Sequence, residues 1–213
     1  MQKQEKTTLA FDDIAKYHNF LFTFYYNRVY RKTFKLLKKQ GVSRNDIRVL
    51  DIGCATGSFF CRFKKKIKQL DYFGLDESPA MIKIAQKKFP QAKFSVGLAE
   101  KLPFPDRFFD LVVIIDALHY VQDKKSAFSE IARVLRPGGV LFIYTPSIDQ
   151  FFSKVALLFG KLLSPTEKNI KPLKLSEIEK LAQTNGVKLT SRQLINWFPF
   201  FFIKNWLIFL RKI

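Results

Sequence analysis

Short apolar segments alternate with helical segments between residues 48 and 145, and this alternation constrains the fold more than any other feature of the sequence. Strands that alternate with helices at this spacing form crossover units in a parallel sheet. The sequence therefore predicts an α/β fold with a doubly wound, mostly parallel sheet. The predicted strands are Arg48–Ile52, Asp71–Asp76, Lys93–Val96, Asp110–Asp116 and Val140–Thr145, and the predicted helices are Ser58–Leu70, Ser78–Phe89 and Lys125–Leu135.

The length of 213 residues favours a single domain, within which four parts are predicted. Residues 1–40 form an N-terminal helical part, in which the helical pattern runs from 11 to 40 and Gly41 ends it. Residues 41–145 form the sheet core, and residues 146–174 form an insertion with an amphipathic helix at 148–163. Residues 175–213 form a C-terminal helix at 176–185 and a hairpin of strands at 187–194 and 206–211.

A glycine-containing loop follows the first predicted strand, at the edge where open parallel sheets bind ligands. It reads Asp51-Ile-Gly53-Cys-Ala-Thr-Gly57. Glycine at 53 permits a tight turn, and glycine at 57 permits close packing of the next helix. A dinucleotide-binding fingerprint would require glycines at 53, 55 and 58, but the chain has Ala55 and Ser58. The loop therefore does not favour a pyrophosphate ligand.

Two carboxylates end the first two predicted strands. Asp76 ends the second strand, where a carboxylate can accept both hydroxyls of a ribose. Asp51 lies where it can face an ammonium or sulfonium group. Because the chain pairs these acids with a loop unsuited to phosphate, the pattern favours a positively charged nucleoside. The alternative is that both aspartates only cap helices and that Gly57 only serves packing.

These segments, taken together, resemble class I S-adenosylmethionine-dependent methyltransferases of the type 11 branch, which includes the ubiquinone and menaquinone biosynthesis methyltransferases. The resemblance runs from about residue 11 to 145 and is faint after Pro146. The motifs that carry it are Val49-Leu-Asp-Ile-Gly-Cys-Ala-Thr-Gly57, Gly74-Leu-Asp-Glu-Ser-Pro-Ala-Met81, Ala99-Glu-Lys-Leu-Pro-Phe-Pro105, Phe109-Asp-Leu-Val112 and Leu135-Arg-Pro-Gly-Gly139.

The resemblance implies S-adenosyl-L-methionine as the cofactor and assigns its binding residues. Asp76 would hold the ribose, residues 78–81 would flank the adenine, and Ala99 would meet the adenine edge. At two positions the chain departs from the family: Ala55 replaces a glycine, and Leu98 stands where the family often has an aspartate that contacts the adenine amino group. The predicted cofactor-binding residues are Asp51, Gly53, Cys54, Ala55, Gly57, Asp76, Glu77, Met81, Ala99, Glu100 and Asp116.

Methyl transfer from a sulfonium is an in-line displacement, which alignment and desolvation can accelerate without a metal. The sequence shows no metal-binding motif. The segment after the fourth predicted strand supplies the catalytic candidates Asp116, His119 and Tyr120, which would act as a base where the acceptor must lose a proton. His119 as a structural loop histidine is the alternative. Tyr17 and His18 are further candidates. They belong to the N-terminal helical part, residues 1–40, which the resemblance implies is a lid over the cofactor; aromatic packing is their alternative.

The formal net charge of +19 predicts attraction to polyanions. The apolar segment at 151–159 favours a small, apolar or amphiphilic acceptor, and the basic charge is consistent with peripheral association with an anionic membrane. RNA methylation and a non-catalytic binding module with the same fold stay open as alternatives. Two cysteines and the lack of a signal-peptide pattern predict a cytoplasmic location, with the inner membrane face as an extension of it.

Overall fold

The computed structural model describes residues 18–42, 46–65, 69–146, 173–196 and 204–213 of the chain. In this part, seven strands form one sheet in the order β3-β2-β1-β4-β5-β7-β6. The strands are β1 (Asp46–Ile52), β2 (Gln69–Asp76), β3 (Lys93–Val96), β4 (Phe109–Ile115), β5 (Leu135–Pro146), β6 (Val187–Asn196) and β7 (Lys204–Lys212). The helices are α1 (His18–Lys39), α2 (Ser58–Phe63), α3 (Pro79–Lys88), α4 (Lys124–Val134) and α5 (Leu175–Thr184).

The first five strands are parallel, and β7 pairs antiparallel with both β5 and β6. Strand order reverses between β1 and β4, because β2 and β3 lie on one side of β1 while β4 and β5 lie on the other. This topology confirms the predicted doubly wound, mostly parallel sheet. The switch point between β1 and β4 is where such sheets bind ligands.

The sheet is covered on both faces, as the continuous apolar strands require. Alternate residues of each central strand point to opposite sides, so Val113 and Phe142 pack with α1, α2 and α3, whereas Val112 and Leu141 pack with α4 and α5. The helix α3 begins as predicted, with the Ser78 hydroxyl accepting a hydrogen bond from the Met81 N–H and with proline in its first turn.

Two predicted boundaries are wrong. The helix predicted for 58–70 ends at Phe63, because Gln69 and Leu70 belong to β2 and pair there with Asp46 and Ile47. The strand predicted to begin at Val140 begins at Leu135. Residues 136–139 bulge out of β5, since Leu135 pairs with Phe109 and Val140 pairs with Leu111.

Several sequence predictions fall outside the described residues. They are the lid before His18 with Tyr17, most of the insertion at 146–174 with its amphipathic helix, and residues 197–203. The division of the chain into four parts therefore stays a prediction. Among the described helices, none combines the length and the apolar character that crossing a membrane requires.

Candidate active site

The glycine loop turns sharply at the carboxyl end of β1. The backbone N–H groups of Gly53 and Cys54 both donate to the carbonyl of Leu75, at 2.8 and 3.1 Å, which ties the loop to β2. Gly53 adopts φ = 74°, and a Cβ added there would lie 2.3 Å from the Cβ of Ala117. The turn therefore excludes any side chain at position 53, for both conformational and steric reasons.

Asp76 bridges the glycine loop and the start of α3. Its Oδ2 accepts a hydrogen bond from the Ala55 N–H at 2.8 Å, and its Oδ1 accepts one from the Ser78 N–H at 3.0 Å. These bonds fix the orientation of the carboxylate at the end of β2. Ser78, rather than Asp76, caps α3, so the alternative role of Asp76 as that cap does not hold.

Asp51 is a buried carboxyl at the end of β1, with 2% of its surface exposed. The Tyr72 hydroxyl on the adjacent strand β2 donates a hydrogen bond to its Oδ2. Burial, with a smaller contribution from the Asp76 charge, raises the pKa of Asp51 to about 7, although the hydrogen bond from Tyr72 acts in the opposite direction. Asp51 can therefore change its protonation state near neutral pH, and a nearby cation would favour its ionised form.

A cavity opens at this edge of the sheet, between the ends of β1, β2 and β4. Its lining contains five carboxyl groups and no Lys, Arg or His among the described residues. In a chain with net charge +19, this local excess of acid is the reverse of the overall balance. The acidic residues in the lining are Asp51, Asp76, Glu77, Glu100 and Asp116.

Ten of the eleven predicted cofactor-binding residues line this cavity. Gly57 is the exception: it has φ = 78° just before α2, and a Cβ added there would lie 2.9 Å from the ring of Phe89. Gly57 therefore permits close packing, as predicted, and the group that packs against it is the aromatic ring of Phe89. The ten lining residues are Asp51, Gly53, Cys54, Ala55, Asp76, Glu77, Met81, Ala99, Glu100 and Asp116.

The catalytic candidates after β4 are placed differently from one another. Asp116 and Tyr120 line the cavity. Asp116 has φ = 57°, an uncommon conformation for a residue with a side chain, and its N–H donates to the Tyr144 carbonyl at 2.8 Å. The backbone strain at the end of β4 is therefore held in place by a bond to β5.

His119 is buried beside this segment, with 4% of its surface exposed, and it is not among the residues that line the cavity. Its ring lies 4.2 Å from the Tyr120 ring, and its Nδ1 has no hydrogen-bond partner among the described residues. Burial, and secondarily the charge of Lys124, lowers the pKa of His119 to about 3, so the imidazole is neutral near pH 7.

Sequence reasoning missed two tyrosines at the site. Tyr30 of α1 lines the cavity and is buried, and Tyr72 holds Asp51. Burial, followed by the charge of Asp51, raises the pKa of both hydroxyls well above the usual range. The signal available for Tyr72 was its place on β2, four residues before Asp76. A tyrosine in a strand, however, more often serves packing.

Glu100 also has a function that the sequence did not indicate. Its Oε1 accepts hydrogen bonds from the N–H groups of Gln122 and Asp123, at 3.0 and 3.2 Å. The carboxylate therefore holds the segment that follows β4 against the loop that follows β3. This contact fixes the position of the wall that carries Asp116 and Tyr120.

Comparison with known proteins agrees with this geometry. Residues 50–143 match the family described as "Methyltransferase domain". The chain is 34% identical, over 133 residues, to the demethylmenaquinone methyltransferase of Chlorobaculum tepidum, a match that covers 62% of this chain and 54% of that protein. It is 31% identical, over 151 residues, to the ubiquinone/menaquinone biosynthesis C-methyltransferase UbiE of Campylobacter jejuni, with 67% and 64% covered. The chain thus spans less than two thirds of the length of these relatives.

The crystal structure of the YcgJ protein from Bacillus subtilis has the same fold. It superposes with a TM-score of 0.71 at 21% identity, covering 85% of this chain and 98% of YcgJ. This superposition confirms the Rossmann-like fold. The resemblance to methyltransferases of the quinone biosynthesis group is confirmed by the match of residues 50–143 and by the two relatives.

Proposed function

We propose that this chain, whose residues 50–143 match the methyltransferase family, transfers methyl groups from S-adenosylmethionine to a small, apolar or amphiphilic acceptor. The observation that carries the proposal is the acidic cavity at the switch point of the sheet. S-adenosylmethionine has a sulfonium and an ammonium group and lacks phosphate. A cavity with five carboxyls and no basic side chain in its described lining complements such a ligand and would repel a nucleotide phosphate.

The residues present fit each part of the cofactor. Asp76, already oriented by two backbone N–H groups, would accept the ribose hydroxyls. Asp51 would face the ammonium group of the methionine part, and Gly53 would let the chain pass close to it. Met81 and Ala99 line the cavity as apolar neighbours for the adenine. When bound, the cofactor would supply an activated methyl group, because its sulfonium sulfur can keep the electron pair of the carbon–sulfur bond when the methyl group is transferred.

The chain's own residues would position the acceptor and receive its proton. Asp116 lies in the cavity wall and is the first candidate for a base, and Tyr120 lines the same wall. His119, neutral and buried behind this wall, would act through the position of Tyr120, whose ring lies against its own. The hydrogen bonds that Glu100 accepts from Gln122 and Asp123 would hold the wall with Asp116 and Tyr120 in place beside the cofactor.

An apolar acceptor is supported by the apolar segment at 151–159 and by the two relatives, whose names specify demethylmenaquinone methylation and ubiquinone/menaquinone biosynthesis. The chain would work in the cytoplasm, in peripheral contact with an anionic membrane. RNA methylation is the alternative suggested by charge alone, and a binding module without catalysis is the other. The acidic cavity weighs against a phosphate-bearing substrate at the reaction centre.

Calorimetry with the demethylated product, S-adenosylhomocysteine, tests the cofactor assignment. We expect micromolar-range affinity for the native chain and a loss of about 1–3 kcal/mol in Asp76→Ala, because the ribose hydroxyls lose a charged acceptor. The matched control is Asp71→Ala, which removes an exposed carboxylate from the same strand. Unchanged affinity in Asp76→Ala, with its fold intact by circular dichroism, would contradict the assignment.

A further inference from the structure

Among the described helices, basic charge is concentrated on one side of the sheet. The helices α1, α2 and α3 all pack on the same side. Their sequences, with Lys64 and Lys65 after α2, carry six basic residues in α1, three in residues 58–65 and three in α3, and no Asp or Glu. We call the outer surface of these three helices the basic face.

The opposite side of the sheet has no such excess. The helices α4 and α5 contain four basic and three acidic residues, and two of these acids form ion pairs. Glu130 pairs with Arg133, and Glu179 pairs with Arg192. The helices on the two sides of the sheet therefore differ strongly in charge, a difference that the net charge of the chain does not reveal.

The charges of the basic face act together on a broad surface. Arg31, Lys35, Lys38 and Lys39 are exposed at helical spacings of three and four residues, so they form a stripe along α1. The exposed Lys64 and Lys65 at the end of α2 belong to the same layer of helices. The helices α1 and α2 pack directly on each other through Tyr30–Phe59 and Phe34–Phe63, so their potentials add at physiological salt, where the Debye length is about 8 Å.

Each helix of the basic face also contributes to the acidic cavity. Tyr30 of α1, Phe59 of α2 and Met81 of α3 all line it. The helix α1 continues from Tyr30 back to His18, which corresponds to about 18 Å. The sequence of this stretch is rich in aromatic residues, with Phe and Tyr at 20, 22, 24, 25 and 26. The helices of the basic face thus form one wall of the cavity with their inner sides, and the first half of α1 carries an aromatic segment in its sequence.

We propose that the basic face docks this protein on an anionic lipid bilayer. Clustered lysines on a broad face match the anionic surface of such a bilayer, and the aromatic residues in the sequence of α1 suit its interface. RNA is less well matched, because the acidic cavity formed in part by the same helices would repel the phosphates of a bound nucleotide. With the proposed function, docking would present the cavity to an acceptor dissolved in the bilayer.

The test compares two triple variants with the same change of charge. In the first, Lys35, Lys38 and Lys39 on the basic face become glutamine. In the control, Lys125, Lys180 and Lys188, which are equally exposed on α4, α5 and β6, become glutamine. Binding is measured by co-sedimentation with phosphatidylcholine vesicles, with and without phosphatidylglycerol, at low and at physiological salt.

We expect the native chain to bind only the anionic vesicles. Each lysine removed from the contact should weaken partitioning about fivefold, so the first variant loses roughly a hundredfold while the control changes little. Equal losses in both variants, or no binding of the native chain to anionic vesicles at low salt, would overturn the proposal. So would an RNA oligonucleotide that stays bound through the basic face at a salt concentration that releases the vesicles.

Binding of S-adenosylhomocysteine is measured on the same three proteins and separates this inference from the proposed function. Unchanged affinity in both triple variants is expected, because the substituted lysines do not line the cavity. If none of the three proteins binds S-adenosylhomocysteine, the proposed function fails. The docking proposal is then still decided by comparing the vesicle binding of the two triple variants.

Discussion

Replacement of the buried carboxyl at position 51 by an amide should stabilise the protein at neutral pH and weaken binding of the proposed cofactor. In the native chain Asp51 accepts a hydrogen bond from Tyr72 and lies 2% exposed at the end of β1. Asparagine has nearly the same shape and keeps an oxygen that can accept this bond, but it never ionises. The variant Asp51→Asn therefore isolates the free energy of burying the charge.

The magnitude follows from the pKa of Asp51, which is raised from 3.8 to about 7. Below about pH 4 the carboxyl is protonated in both the folded and the unfolded chain. Between about pH 4 and 7 only the unfolded chain releases the proton, so the folded state loses about 1.4 kcal/mol per pH unit relative to it. Above pH 7 the loss levels off at about 4 kcal/mol, since both states are then ionised.

Urea denaturation of the ligand-free protein at pH 5 and pH 8 measures this effect. We expect the stability advantage of Asp51→Asn over the native chain to grow by about 2–3 kcal/mol from pH 5 to pH 8. The control Asp71→Asn makes the same change of charge at an exposed residue that pairs with Lys93, and it should show no comparable pH-dependent gain. A stability difference between Asp51→Asn and the native chain that is the same at both pH values would refute the reasoning.

The same carboxyl links cofactor binding to protons. Because the ammonium group of the proposed cofactor favours ionised Asp51, binding near pH 6 should release a proton. Calorimetry in two buffers of different ionisation enthalpy should therefore give different apparent enthalpies. In Asp51→Asn the affinity should fall, and the buffer dependence should disappear.

Two further substitutions test the loop and the wall of the cavity. Gly53→Ala should destabilise the fold by about 1–3 kcal/mol more than Gly41→Ala in urea denaturation. Both glycines have positive φ, but only a Cβ at position 53 meets Ala117. Equal losses would mean that the backbone conformation alone sets the cost of the substitution. Asp116→Asn and His119→Ala should lower kcat for methyl transfer to an apolar acceptor more than they lower cofactor affinity. Affinity losses that account for the whole effect would assign both residues to cofactor binding instead.

The sequence by itself determined the architecture and the location of the site. Strand and helix periods are local properties of the chain, so the order of elements and the parallel sheet could be predicted from them. Gly53 and the acids Asp51 and Asp76 stand at strand ends, and parallel strands bring their carboxyl ends to one edge. The lengths of elements were less predictable: Gln69 and Leu70 fit a helix by pattern, but the sheet takes them because β1 offers partners.

Only the tertiary structure decided how the site works. The hydrogen bond from Tyr72 to Asp51 joins residues 21 positions apart, and it exists because β2 lies beside β1. Burial, which sets the pKa of Asp51 and makes His119 neutral, depends on what packs over a residue from distant parts of the chain. The separation of charge has the same origin, since the net charge of +19 is a sum over residues, and the packing of helices on the two faces of the sheet distributes it.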